Sequence, residues 1–266
     1  MYMRAISTLG CAELSLDEAI ALGRRHGITA FELRALAGTL DLPAHFVAVF
    51  GSPAALAARM AAAGVEIVAL DTSCRLMGDT AAERDKLLEF LPWAEALGVR
   101  WLRVFDGGTT LDAAAVTQAV ATLRWWQSIR TERQLTVDLM IETHDVLLDA
   151  EKINRFVAAM PDRSVRLLWD AHHTWRKGVE HPSVTWPAVK PHVVHVHVKD
   201  SVGGPGGPLR FQYVLPGAGE FPMKLLRTTL AAEFTGTVSL EWEKLWHPEL
   251  PHLEDALRSA AECQWW

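Results

Sequence analysis

Short aliphatic runs that stop abruptly in charged residues or imidazoles recur along the chain, with longer amphipathic stretches between them. Met3 to Leu9 reads as a first strand. SLDEAIALGRRHG follows as a helix, with Ser15 as N-cap, Glu18 completing a capping box and Gly27 as its stop. The next strands are Ile28 to Leu33, Val65 to Leu70 and Val99 to Phe105. Helical stretches follow them over Leu42 to Ala63, broken near Gly51-Ser52-Pro53, then over Ala81 to Leu97 and Leu111 to Arg130. The second half keeps the rhythm: strands at Thr136 to Glu142, Val165 to Asp170, Val193 to Lys199 and Thr237 to Glu241. Its helices are Asp149 to Met160, a short segment at Trp186 to Lys190, Phe221 to Glu233 and Glu254 to Cys263, with a Gly/Pro-rich loop at Gly203 to Pro208.

Eight strand-like runs alternating with helices in 266 residues predict an α/β fold in which a parallel sheet closes into a single (β/α)8 barrel. No linker-like segment divides the chain, so residues 1–266 are expected to form one domain. An open doubly wound sheet is the alternative. No GxGxxG loop follows the first strand, and the charged strand ends accumulate in the last four units, which argues against it.

Strand side chains alternate, so residues two apart face the same way. Glu142 is grouped in this way with His144, Asp170 with His172, His195 with His197 and Lys199, and Glu241 with Glu243. Glu32, Arg34 and Arg103 join them from earlier strands, and Glu32 and Arg103 are expected to form ion pairs below the site. His195, one step deeper than His197, reads as structural, and His172 as a hydrogen-bonding brace. In a closed barrel the ends carrying Glu142, Asp170 and Glu241 converge. Two unit charges about 4 Å apart repel by roughly 4 kcal/mol at an effective dielectric near 20. Three converging carboxylates must therefore take up protons or hold a cation. With one neutral imidazole they make a hard, oxygen-rich ligand set that suits one divalent ion, Mn²⁺ before Mg²⁺ or Co²⁺, with Zn²⁺ also admissible.

Composition narrows the partners. A formal charge of -6 argues against nucleic acid, whose binding draws on clustered Lys and Arg, and no apolar run reaches membrane-spanning length. The three cysteines, Cys11, Cys74 and Cys263, have no CxxC spacing and indicate neither a disulfide framework nor a thiolate zinc site, as expected for a cytoplasmic protein. Cys11 and Cys74 read as small buried side chains. Most of the 11 Trp residues are expected in the core; Trp175, Trp242 and Trp246 follow acidic strand ends, where an indole could stack on a sugar. The Trp265-Trp266 pair is expected to pack against the body or against a second copy in a homo-oligomer.

The residues FEL (Phe31 to Leu33), LRVF (Leu102 to Phe105), IETHD (Ile141 to Asp145), DAHH (Asp170 to His173), HVHVKD (His195 to Asp200), PGAGEFP (Pro216 to Pro222) and SLEWE (Ser239 to Glu243) resemble the xylose isomerase-like barrel superfamily. That superfamily holds sugar isomerases, epimerases, inosose dehydratases and apurinic endonucleases. The resemblance spans the whole chain and implies Glu142, Asp170, His197 and Glu241 as metal ligands. It also implies Glu142 and Glu241 as the acid–base pair, and His173 and Lys199 as substrate contacts. The epimerases' arginine-rich loop after the seventh strand is lacking; Gly203 to Pro208 stands there instead, with Arg210 beyond it as a candidate substrate contact. The endonuclease branch fits poorly, because no histidine occurs between His45 and His144.

The expected function is a divalent-metal-dependent isomerase or epimerase of a small carbohydrate, removing a proton next to a carbonyl through an enediolate. A lyase or dehydratase on a keto-inositol or 3-keto sugar begins with the same step. A non-catalytic sugar-binding barrel is the third possibility.

Overall fold

Each of the eight apolar runs becomes a strand, and the strands pair in parallel in chain order until the last closes on the first. The computed structural model of the protein describes residues 1–160, 165–204 and 210–266. The barrel strands are β1 (Met3–Ser7), β2 (Ala30–Leu33), β3 (Glu66–Met77), β4 (Trp101–Gly107), β5 (Asp138–Glu142), β6 (Leu167–Asp170) and β7 (Val193–Val198). A hairpin of β8 (Asp200–Gly203) and β9 (Phe211–Val214) follows, and then β10 (Thr237–Leu240). Closure is made by β10 lying between β7 and β1, with Met3 opposite Thr237 and Ile6 opposite Leu240. This is the closed, single (β/α)8 barrel expected from the alternation.

The strands have two faces and therefore supply two interiors. Phe31, Leu33, Leu139, Ile141, Leu167 and Val196 belong to the main core with the surrounding helices. The alternate residues Ala5, Ala30 and Val68, and Ala69, Met140 and Leu168, form two small separate apolar clusters. By strand alternation Ala30, Ala69, Met140 and Leu168 fill the barrel itself, beneath Glu32, Asp71, Glu142 and Asp170 two positions on.

Local chemistry explains the helix boundaries. Ser15 and Glu18 form the reciprocal capping box at the helix Leu16–Arg25. The Gly51-Ser52-Pro53 break separates helices Leu42–Phe50 and Pro53–Ala63, and Gly64 ends the second at φ 60, a conformation that costs glycine nothing. The stretch read as one helix from Ala81 to Leu97 is two, Ala81–Glu89 and Leu91–Leu97. Pro92 lacks the N–H that would continue the ladder and takes a first-turn position in the second.

Two further differences bear on the site. β3 runs on past Leu70 to Met77, held by Thr72: its hydroxyl donates to the Arg103 carbonyl at 2.8 Å, and its own carbonyl accepts from Arg103 Nη1 at 2.9 Å. The segment after β7 is a hairpin whose base is tied down by Asp200. Its carboxylate accepts from the backbone of Ser201, Gly217, Gly219 and Phe221 at 2.9–3.0 Å. Part of the predicted Gly203 to Pro208 loop, residues 205–209, lies outside the described residues.

Trp265 and Trp266 are each only 7% exposed, so the terminal pair packs against the body, with Arg4 lying over the Trp266 ring at 5.9 Å. No single helix among the described residues is long and apolar enough to cross a membrane.

Candidate metal centre

The carboxyl ends of β5, β6, β7 and β10 bring Glu142, Asp170, His197 and Glu241 together. One oxygen or nitrogen of each lies within 4.8 Å of all the others, and all four side chains are buried. His197 Nδ1 is 3.2 Å from Glu241 Oε2 and 3.8 Å from Glu142 Oε1. Glu142 Oε2, Asp170 Oδ2 and His197 Nδ1 are buried and make no well-directed hydrogen bond among the described residues. Buried polar atoms in this state are costly, and a cation shared among them removes the cost. Three carboxylates and one imidazole therefore fit a divalent ion.

A layer below orients this set. Glu32 Oε2 accepts from His197 Nε2 at 2.8 Å and lies 2.7 Å from His195 Nε2. A carboxylate bonded to one imidazole nitrogen leaves the other as a lone pair for a metal. Burial opposes the Glu32 charge, but His197 and His195 beside it hold its carboxyl well below the usual range. Burial and then the charge of Glu32 push the neighbouring Asp71 carboxyl well up. Arg103 joins the layers: Nη1 donates to the Thr72 carbonyl, Nη2 reaches Asp71 at 3.5 Å, and Nε lies 3.2 Å from Glu142 Oε2. Glu32 and Arg103 thus do make ion pairs below the site, each with other partners.

Lys199 is fully buried among acids. Its ammonium lies 2.7 Å from Asp170 Oδ2 and 2.8 Å from Glu243 Oε1, and it also pairs with Glu241. Burial works against its charge, yet the carboxylates of Asp170, Glu241 and Glu243 hold its pKa well above the ordinary lysine value.

Alternation grouped His172 with Asp170, but it is His173, the substrate contact implied by the resemblance, that lies at the cluster. β6 ends at Asp170, which caps the helix Ala171–Arg176, so the residue brought back to the cluster is three positions on. His173 accordingly has its backbone N–H on Asp170 Oδ1 at 2.7 Å and its Nδ1 3.1 Å from Asp170 Oδ2 and 3.9 Å from Glu142 Oε1. His172 turns away to Ser201 Oγ at 2.8 Å, among Trp175, Phe211, Tyr213 and Phe221. His144 stands at the mouth, its ring 4.6 Å from Phe105 and 5.0 Å from His173, with Nδ1 2.9 Å from Asp145.

The remaining candidates are not drawn into the cluster. Trp242 is 0% exposed and donates to the Pro251 carbonyl, so its face is covered and cannot stack on a sugar. Trp175 is partly buried and lies against the Arg176 guanidinium and Phe221. Trp246 is 51% exposed, and Arg210 is exposed at the foot of β9.

Sequence reading passed over three residues. Asp71 ends the apolar run VEIVAL and could have been found by the strand-end rule. Tyr213, whose hydroxyl donates to Glu243 Oε1 at 3.3 Å, lies on the unanticipated hairpin. Asp106 accepts from the backbone N–H groups of Gly107, Asp145, Val146 and Leu147 at 2.7–2.9 Å, fixing the loop that carries His144. Its donors were invisible without the fold.

Solved structures with the same fold cover nearly the whole chain. The probable 3-DHS dehydratase AsbF involved in petrobactin synthesis from Bacillus anthracis superposes with a TM-score of 0.79 at 14% identity, over 99% of this chain and 98% of its own. The IolI protein with a bound zinc atom gives 0.72 at 16% identity, over 98% and 96%. The apo form of the 3-keto-D-glucoside 4-epimerase YcjR from E. coli gives 0.68 at 12% identity, over 99% of both chains. No curated relative matches the sequence. The model of the xylose isomerase-like TIM barrel family matches residues 20–264, and the chain belongs to that family.

Proposed function

We propose that the protein is a divalent-metal-dependent enzyme that moves a proton on a carbon next to a carbonyl of a small polyhydroxylated substrate, as an isomerase or epimerase. The observation that carries this reading is the buried set of Glu142, Asp170, His197 and Glu241, whose ligand atoms converge within 4.8 Å of one another. Mn²⁺ suits the oxygen-rich set best, with Mg²⁺, Co²⁺ or the Zn²⁺ named for the IolI structure as alternatives. When bound, such an ion supplies Lewis acidity to a carbonyl and an adjacent hydroxyl.

The chain's own residues supply the rest. In the order of the barrel, Glu142 and Glu241 come from strands on either side of those carrying Asp170 and His197. One carboxylate can take a proton from one side of a substrate while the other returns it, and each such group contributes about 10²- to 10⁴-fold. Arg103 beside Glu142 and Lys199 beside Glu241 hold the two carboxylates in place. His173 and His144 line the approach and offer imidazoles to substrate oxygens. The epimerase named among the similar structures is consistent with this chemistry.

A second reading, a lyase or dehydratase, shares the first proton abstraction. The probable 3-DHS dehydratase among the similar structures favours it, and the histidines His144 and His173 beside the cluster offer proton donors for a departing hydroxyl.

The test is elemental analysis of the dialysed protein, wild type beside Glu241→Ala, followed by solvent-deuterium exchange on keto sugars. About one divalent ion per chain, lost in the variant, with deuterium entering next to a carbonyl, is the expected result. No ion in either protein even after metal is added back would overturn the proposal, and product analysis separates isomer from dehydrated product.

A further inference from the structure

Arg34 is a cation of the barrel mouth that makes no close ion pair among the described residues. It lies one residue past the end of β2, two after Glu32, and its guanidinium reaches the Phe105 ring and feels the charges of Arg103, Asp71, Glu142 and Glu241 at the barrel mouth. The residue is 4% exposed, and its Nη1 is buried with no hydrogen-bond partner among the described residues. The other two cations of the mouth are already engaged, Arg103 by Asp71, Glu142 and the Thr72 carbonyl, and Lys199 by Asp170, Glu241 and Glu243.

Its place is set from two sides. Its backbone N–H donates to Thr8 Oγ1 at 2.9 Å, which anchors the strand end. Its guanidinium carbon lies 6.0 Å from the centre of the half-buried Phe105 ring, whose other neighbours are Arg103 at 4.0 Å and His144 at 4.6 Å. His144 in turn lies against His173, which contacts the metal ligands Asp170 and Glu142. Arg34 therefore stands in the wall of the same pocket, one ring away from the histidines that face the metal centre. A buried charge is expensive to keep, and this one is held by the longer-range fields of Asp71, Glu142 and Glu241 with no close ion pair among the described residues. Burial and then the like charge of Arg103 lower its pKa to about 10, which leaves it a cation at neutral pH.

We infer that Arg34 receives a carboxylate of the substrate, so that the site takes a hydroxylated acid rather than a neutral sugar. This rests on the proposed metal centre and adds the class of substrate to it. A planar guanidinium with a free edge matches a carboxylate with two parallel hydrogen bonds. A phosphate ester fits less well, because a single guanidinium leaves most phosphate oxygens without donors.

The experiment uses the metal-loaded full chain and isothermal titration with D-gluconate and D-galactonate, set against the neutral polyols sorbitol and galactitol. It compares wild type, Arg34→Lys and Arg34→Met, each with its metal content measured. The expected result is that the wild type binds at least one acid and neither polyol, that Arg34→Met weakens this binding by about 10- to 100-fold, and that Arg34→Lys restores part of it. Metal content should be equal in all three. Acids binding no better than polyols, or equally well to wild type and Arg34→Met, would overturn the inference; in the latter case the carboxylate sits on the metal. Loss of metal from a wild type that never exchanges substrate protons would instead count against the proposed function. Arg34-dependent acid binding without proton exchange would leave the inference standing alone.

Discussion

His197 and Glu32 stand in a fixed relationship across the barrel: His197 Nε2 donates to Glu32 Oε2 at 2.8 Å while Nδ1 faces Glu241 at 3.2 Å. Glu32 therefore decides which nitrogen is offered to a metal. Glu32→Gln should lower divalent-metal affinity by about 10- to 100-fold with the fold intact, measured by competition against a chromophoric chelator. An affinity within twofold of wild type would show that Glu32 does not set the histidine.

Lys199 neutralises three acids that would otherwise face one another. Lys199→Met should cost the metal-free protein about 3–5 kcal/mol, because the carboxylates of Asp170, Glu241 and Glu243 lose their only fully buried ammonium partner. Thermal melts in chelator and in saturating Mn²⁺ should show a smaller loss with metal present. Equal losses in both would mean that Lys199 and the ion do not share the same carboxylates.

Asp106 holds the segment after β5 through the amides of Asp145, Val146 and Leu147. Asp106→Ala leaves buried donors unmet and should destabilise by about 2–4 kcal/mol. Amide exchange should rise locally over residues 143–148 and leave β6 and β7 protected. Uniform protection throughout would assign the carboxylate no such role.

The cysteines should differ sharply in reactivity. Burial, followed by the charge of Glu13, pushes the Cys11 thiol up to about 12, and burial also raises Cys74. A raised thiol pKa keeps the group protonated and unreactive until pH approaches that value. At pH 8 Ellman's reagent should label the exposed Cys263 in the native protein and all three cysteines after denaturation. Rapid labelling of Cys11 at pH 8 would contradict its burial.

Much of the centre was legible because a strand end is a local event. Glu142, Asp170 and Glu241 each close an aliphatic run, and His195, His197 and Lys199 alternate along another, so period-2 logic placed them on one face. That logic stopped where the strand stopped. After Asp170 the backbone turns helical and the period changes, so alternation put His172 on the inward face, whereas His173, which only the resemblance singled out, reaches the cluster. Trp242 failed for a related reason: it follows Glu241 at odd parity and belongs to the outer core, where its indole donates to Pro251. The hairpin of β8 and β9 was missed because its pairing joins Asp200 to Val214 across a Gly/Pro-rich stretch without an apolar pattern.

The sequence alone determined which residues end strands, which of them carry charge, and that eight such units would close, since alternation and helix caps act over a few residues. The tertiary structure decided how the charges are distributed among one another. Strand order sets β10 between β7 and β1, and this places Glu32 against His195 and His197 from more than 160 positions away. Only closure could show that Arg103 and Lys199 make close ion pairs and that Arg34 makes none among the described residues, because ion pairing depends on distances in space and on burial, and neither is written in the spacing of residues along the chain.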